Sequence, residues 1–198
     1  LTLIRHGQTD ANIDDRWQGV TDGELTIDGR AQAAALANWY PGLDSLYSSP
    51  LRRAQDPAAA LAEVLGVEVE NHEGVIEMHL GDWEDRTTPT IQAEWAQLWE
   101  QIYDRGEDLP RGQTGEALTE TAARMEAALQ ELAHRHAGAR VGVVSHGGAS
   151  RSYVLDLLNI GHAGRDRLAF VDNTAVTHIL ISEDSATIAD YNVAPNLE

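Results

Sequence analysis

Apolar positions along the chain fall into short runs and helical stripes, and their order predicts most of the fold. Leu1 to Ile4 is an apolar run stopped by Arg5, His6 and Gly7, the pattern of a buried strand that ends in a tight turn. From Thr26, suited to cap a helix, an Ala-rich segment with Leu36 and Trp39 on one side runs to Tyr40 and is closed by Pro41-Gly42. Leu43 to Tyr47 reads as a second strand, after which Ser48-Ser49-Pro50 opens an Ala/Leu-rich helix ended by Gly66. Val67 to Val75 alternates apolar with polar residues, as a strand or an extended edge does, and Asp82 to Pro89 is charged and loop-like. Ile91 to Tyr103 carries Trp95, Trp99 and Tyr103 at helical spacing. Thr114 to His136 repeats Ala117, Leu118, Thr121, Met125, Ala128, Leu129 and Leu132, so both segments predict amphipathic helices. Arg140 to Ser145 is a Val-rich strand entering His146-Gly147-Gly148, Ala149 to Leu158 is helical in character, and Val176 to Ile181 with Ala186 to Tyr191 predict a hairpin.

Strands alternating with helices predict an α/β three-layer sandwich: a mostly parallel central sheet, helices on both faces, and an antiparallel element near the end. The 198 residues show no repeat, low-complexity tract or linker, so 1–198 reads as a single domain. In such sheets ligands bind beyond the carboxyl ends of the strands. Two predicted strand ends carry His-Gly, at Arg5-His6-Gly7 and at His146-Gly147-Gly148.

Composition narrows the chemistry. The net charge is −18, and a chain this acidic repels nucleic-acid phosphates and anionic membranes at long range, which argues against both as broad-surface partners. No cysteine is present, which excludes thiol nucleophiles, zinc ribbons and a disulfide framework and fits a reducing cytoplasm. All 14 cationic residues are Arg, which excludes P-loop lysines and Schiff-base chemistry. No apolar run approaches the ~20 residues of a membrane span and no N-terminal signal pattern is seen, so the expectation is a soluble, cytoplasmic protein.

An imidazole at a strand end beside an Arg suits attack on phosphorus, because His is largely neutral near pH 7 and guanidinium matches phosphate oxygens bidentately. Arg53, at the start of a helix, is a second candidate cation, and the helix beginning near Gly148 would aim its amides and dipole at the same place. Each His-Gly taken alone reads more readily as a satisfied turn than as a catalytic residue. Ser145 lacks a GxSxG elbow, since position 143 is Val. His134 and His136 read as partners of a helix end, Trp95, Trp99 and Tyr103 as core, and Asp82, Glu84 and Asp85 as a solvated loop with no metal-ligand spacing.

Taken together, the motifs resemble those of the histidine phosphatase superfamily, in its phosphoglycerate mutase-like branch. They are Arg5-His6-Gly7-Gln8-Thr9 with Asn12, Arg16, Gln18-Gly19 and Asp22; Leu25-Thr26 with Gly29; Ser48 to Ala54; Glu77 with Leu80-Gly81 and Trp83-Glu84; Gly115-Glu116 with Arg124; and Val144 to Gly148. The resemblance implies that His6 is the nucleophile that becomes phosphorylated, that Arg5, Arg53 and His146 hold the phosphoryl oxygens, and that Glu77 is the general acid. It implies further that Thr9, Asn12, Gln18, Gly19 and the Gly147 amide line the substrate site. The substrate would be a small phosphorylated metabolite, with no metal or cofactor and a monomer or homodimer as the working unit. Arg5 to Arg16 and Glu77 to Trp83 are similar to actinobacterial sugar-phosphoglycerate phosphatases. Departures from the pattern are Pro57 for Thr, placed in a first helical turn, Asp85 for Gly after Trp-Glu, and Ala117 for Ser after Gly-Glu. The lack of Lys and of a long cationic insertion favours a phosphatase over a true mutase. The competing readings are mutase-type phosphotransfer and a non-catalytic phospholigand-binding module of the same fold.

Overall fold

The computed structural model describes residues 1–182 and 185–195. Its elements are β1 (Thr2–Arg5), α1 (Asp10–Ile13), β2 (Arg16–Trp17), α2 (Ile27–Trp39), β3 (Ser45–Ser48), α3 (Arg52–Leu65), β4 (Val69–Asn71), β5 (Arg86–Thr87), α4 (Thr88–Glu94), α5 (Ala96–Trp99), α6 (Leu118–Arg135), β6 (Val141–Ser145), α7 (Gly147–Leu157), β7 (Val176–Ile181) and β8 (Ala186–Val193). Tight helical turns add Glu73–Val75, Gly81–Trp83 and His162–Arg167, and a π-helical turn spans Glu100–Asp104.

The central sheet runs β4-β3-β6-β1-β7-β8, parallel through β1 and antiparallel from there on. Successive residues of a strand face opposite ways, so each face of the sheet finds its own helices. Leu3, Val141 and Val143 meet Met125, Leu129 and Leu132 of α6 and Tyr153 and Val154 of α7. Ile4, Leu46 and Val144 meet Leu36 and Ala37 of α2 and Ala54, Ala58 and Leu61 of α3. Each fully buried Leu or Val contributes about 1.5–3 kcal/mol. A third cluster of Trp83, Ile91, Ile102, Leu118 and Leu155, edged by Trp17, Trp99 and Tyr103, holds the 78–118 segment against the body. No helix among the described residues is long and apolar enough to cross a membrane.

The architecture is the expected sandwich, with differences in detail. Val67 to Val75 yields only the short β4, paired with β3 over three residues, and then a tight helical turn. The Asp82 to Pro89 stretch is ordered: it holds β5, which pairs with β2. The helix expected over Ile91 to Tyr103 is broken at Trp95 into α4, α5 and the π turn. Pro57 lies in the second turn of α3 rather than the first, so the carbonyl of Arg53 has no N–H four residues on to receive.

Ala117 stands at the N-cap of α6, which begins at Leu118 rather than Thr114, and alanine has no side-chain acceptor for the free amides of the first turn. Asp108 supplies it from the preceding loop, accepting from the Leu118 amide at 2.8 Å and from the Thr119 amide and hydroxyl at 2.9 and 2.8 Å. Glu120 covers the Ala117 amide at 2.7 Å. Burial alone would raise the Asp108 carboxyl, but the bonds from Thr119, Leu118 and Arg111 outweigh it and hold the group below its ordinary value. A depressed carboxyl contributes stability above its unfolded pKa and loses it as pH falls through the folded one. Asp108→Ala is therefore expected to cost about 1–2 kcal/mol in urea unfolding near pH 7, and the gap from wild type should narrow in acid. A gap that widens as pH falls would contradict the cap.

Candidate active site

Three neighbouring parallel strands, β3, β6 and β1, end at one level. Arg5 is opposite Ser145 and Ser48 opposite Val144, and the chain stays in register one residue further, with the His6 amide on Ser145 O and the Ser49 amide on Val144 O, at 3.1 and 2.9 Å. His6, Ser49 and His146 are thereby delivered side by side, the two imidazoles 5.3 Å apart. The turn after β1 must pass hard against α2. A Cβ on Gly7 would lie 2.5 Å from Gly29 O, and one on Gly29 would overlap Gln8 O, so both positions exclude a side chain.

His6 is buried, and its Nδ1 lies 2.6 Å from the Gly7 carbonyl oxygen. A carbonyl only accepts, so Nδ1 carries the proton and the lone pair is on Nε2. Burial first, then Arg5 and Arg53, push His6 well below the ordinary histidine value against the opposing Gly7 bond. The ring is therefore neutral, with Nε2 nucleophilic, at neutral pH.

Arg53 is fully buried yet has no carboxylate within ion-pair distance among the described residues. It donates from Nη1 to Thr21 O at 2.7 Å, from Nη2 to Gly19 O at 2.6 Å and from Nε to His146 Nδ1 at 3.2 Å. Guanidinium has five N–H groups, so one on each terminal nitrogen remains. His146 Nε2–H in turn faces Ser49 Oγ at 2.7 Å. Both His146 nitrogens are thus engaged, and the ring locks the guanidinium rather than presenting a free donor of its own. Arg5 is anchored by Nη1 to Val171 O at 2.5 Å, and its guanidinium carbon sits 5.2 Å from the Phe170 ring centre.

Glu77 enters from the loop before the Gly81–Trp83 turn. Its Oε1 accepts from the Met78 and Ala149 amides at 2.7 and 2.6 Å, and its Oε2 from Gly148 at 3.1 Å. The α7 N-terminus, expected to face phosphate, instead holds this carboxylate with two of its amides. Oε2 accepts one bond where Oε1 accepts two, so Oε2 has room for a proton. Arg124 braces the loop, donating to Gly74 O and Ile76 O at 3.0 and 2.9 Å and gripping Glu116 with two nitrogens at 3.0 and 2.9 Å.

Arg5, His6, Arg53 and Glu77 line one cavity of about 1060 Å³, which also takes in Asn12, Gln18, Gly19 and Gly147, whereas His146, expected to hold phosphoryl oxygens, is buried behind Arg53 and is not on its surface. Thr9 is not on its surface. Thr9 caps α1, with its Oγ1 given to Gln18 Oε1 at 2.9 Å and its amide to Asn12 Oδ1 at 3.1 Å, so it aligns two lining residues instead. Glu84, expected in a solvated loop, is a ligand of the Val20 and Thr21 amides at 3.1 Å each and fixes the Gln18-Gly19 turn. Of the aromatic stripe, Trp99 and Tyr103 serve both core and cavity wall. His136 caps α6 and bonds Tyr47 OH at 2.8 Å, a structural role. Sequence reading missed Asn173, whose Nδ2 donates to His6 O at 3.0 Å, and the wall residues Phe170 and Arg151. Arg151 had a signal, four residues and so one helical turn beyond Gly147; Phe170 lies in a loop with no pattern.

The family model of the histidine phosphatase superfamily, branch 1, matches residues 1–194. The chain belongs to this superfamily. It is 34% identical over 189 residues to a glucosyl-3-phosphoglycerate phosphatase of Mycobacterium tuberculosis, covering 90% of this chain and 84% of that one. It is 32% identical over 168 residues to a probable phosphoglycerate mutase of Serratia proteamaculans, covering 84% and 78%. In structure it resembles a phosphoserine phosphatase of Entamoeba histolytica solved with phosphoserine, with TM-score 0.89, 27% identity and coverage of 100% and 98%. One departure from the superfamily pattern now has a physical reading. Asp85, where glycine is usual, adopts φ of 59°, and its carboxylate pairs with Arg16 at 3.0 Å.

The histidine phosphatase clamp predicts a specific failure. Arg53→Lys should weaken binding of inorganic phosphate by about tenfold or more in calorimetry, because an ammonium cannot serve Gly19 O, Thr21 O, His146 and an anion together. Unchanged affinity would mean that charge alone suffices.

Proposed function

We propose that this histidine phosphatase hydrolyses a small phosphorylated metabolite through a phosphohistidine on His6 Nε2, with residues 1–198 acting as one catalytic domain. The observation that carries this reading is the buried His6 imidazole, fixed by Gly7 with its lone pair on Nε2 and flanked by two arginines. Nε2 attacks phosphorus as the bond to the ester oxygen breaks, and the departing alkoxide takes the proton from Glu77 Oε2. Water then attacks the phosphohistidine and gives its proton to Glu77, releasing phosphate and restoring both groups. The unused N–H groups of Arg53 and Arg5 meet the charge on the equatorial oxygens, with Asn12, Gln18 and the Gly147 amide around them. His146 acts by holding Arg53.

Relatives carry both phosphatase and mutase names, and one observation favours hydrolysis. A mutase must retain its phosphorylated intermediate against two anionic groups at once. Of the four further cavity arginines, Arg16, Arg111 and Arg165 are each already paired with a carboxylate of this chain, which leaves only Arg151, a single cation against the two charges of a second phosphoryl group. With 3-phosphoglycerate the protein should release inorganic phosphate, with no acceleration by bisphosphoglycerate. Faster formation of the 2-isomer than of phosphate would overturn the reading.

The role of Glu77 is separable from the clamp. Glu77→Gln should slow alkyl phosphates by about a hundredfold or more and nitrophenyl phosphate far less, since nitrophenolate leaves without a proton. Equal losses on both would remove Glu77 as the acid.

A further inference from the structure

The cavity is far larger than a phosphoryl group, and six of its lining residues are arginines. In a chain whose acids outnumber its arginines by 32 to 14, a cavity arginine with no carboxylate within ion-pair distance is conspicuous. Three meet that description among the described residues: Arg5, Arg53 and Arg151. The first two face the phosphoryl position. The third is assigned to nothing.

Arg151 is tethered but not used up. Its Nη2 donates to Arg165 O and Leu168 O at 2.6 and 2.8 Å, which fixes the guanidinium against the loop after α7. Its Nε is buried without a partner, and Nη1 has no hydrogen-bond partner among the described residues. Gly147, Gly148, Arg151, Ser152 and Leu155 form the α7 stripe along the cavity, so Arg151 lies about 6 Å along the helix axis from Gly147. Phe170 ties the two positions together: the Arg5 and Arg151 guanidinium carbons lie 5.2 and 5.5 Å from its ring centre. An exposed aromatic held between two cations gives both a fixed wall.

We propose that Arg151 is a second anion subsite, taking a carboxylate on the alcohol half of the phosphomonoester and thereby selecting phosphorylated hydroxy or amino acids. One guanidinium with one open terminal nitrogen balances a single negative charge, which fits a carboxylate; a second phosphoryl group would need another unpaired cation beside it. Describing that half as the leaving group rests on the phosphatase reading, whereas the subsite itself is a statement about binding.

The test is calorimetry in a His6→Ala background, where ligand is not consumed, with 3-phosphoglycerate and glycerol 3-phosphate, which differ in whether the terminal carbon is a carboxylate. The parent should bind 3-phosphoglycerate more tightly by about tenfold or more, and Arg151→Gln should abolish most of that preference while weakening glycerol 3-phosphate less than about threefold. Equal affinities in the parent, equal losses in the variant, or no binding of either ligand overturns the subsite. Should Arg151→Gln fail to fold by near-ultraviolet circular dichroism, Arg151→Lys carries the same test, with a reduced preference expected and an unchanged one contradicting the proposal. Nitrophenyl phosphate turnover with His6 intact is scored separately. Its absence alongside an Arg151-dependent preference would sink the phosphatase reading and leave the subsite standing.

Discussion

The common end of β3, β6 and β1 is the constraint from which the site follows. Parallel pairing makes all three chains leave the sheet at the same edge, and the register puts Arg5 level with Ser145 and Ser48 level with Val144. The next residues, His6, His146 and Ser49, have no freedom to lie elsewhere. The α2 backbone passing at Gly29 then holds the β1 exit in a turn whose Gly7 carbonyl accepts a hydrogen bond from Nδ1–H of His6. A tautomer, and with it the identity of the nucleophilic nitrogen, is thus settled by how a helix packs on a strand end.

The second feature is electrostatic. Burying Arg53 without a carboxylate is costly, and the chain offsets it with two carbonyls and an imidazole rather than with charge. Those partners satisfy hydrogen bonds without a direct ion pair, and Glu77, Asp22 and Glu84 offset the charge only from a distance, so the guanidinium can still draw an anion inside a protein of net charge −18. Arg124 is treated the opposite way. Its bidentate pairing with Glu116 neutralises it, which suits a brace for the Glu77 loop and removes it as a competing anion site.

Strands β1, β3 and β6 and helices α2, α3, α6 and α7 were legible in the sequence because each buries one periodic face, and Arg5, His6, Arg53, Glu77 and His146 were legible as motif positions. Short elements such as β2 and β5 were not, since two residues carry no period. Thr9 was legible as important but not as a cap, because a hydroxyl's partner depends on the φ/ψ of its neighbours. Glu84 looked like part of an acidic surface loop; only the return of the chain shows its carboxylate turned inward onto the Val20 and Thr21 amides. The Asp108 cap of α6 was invisible for a related reason, since it supplies the acceptor that Ala117 lacks from a loop ten residues before Leu118.

The central claim is that Nε2 of His6 receives the phosphoryl group because Gly7 occupies Nδ1. Rapid quench with phosphorus-labelled substrate, alkaline digestion and separation of the phosphohistidine isomers tests it most directly. The account predicts acid-labile, base-stable label on Nε2 of His6. Label on Nδ1, on a carboxylate or on a hydroxyl would contradict it.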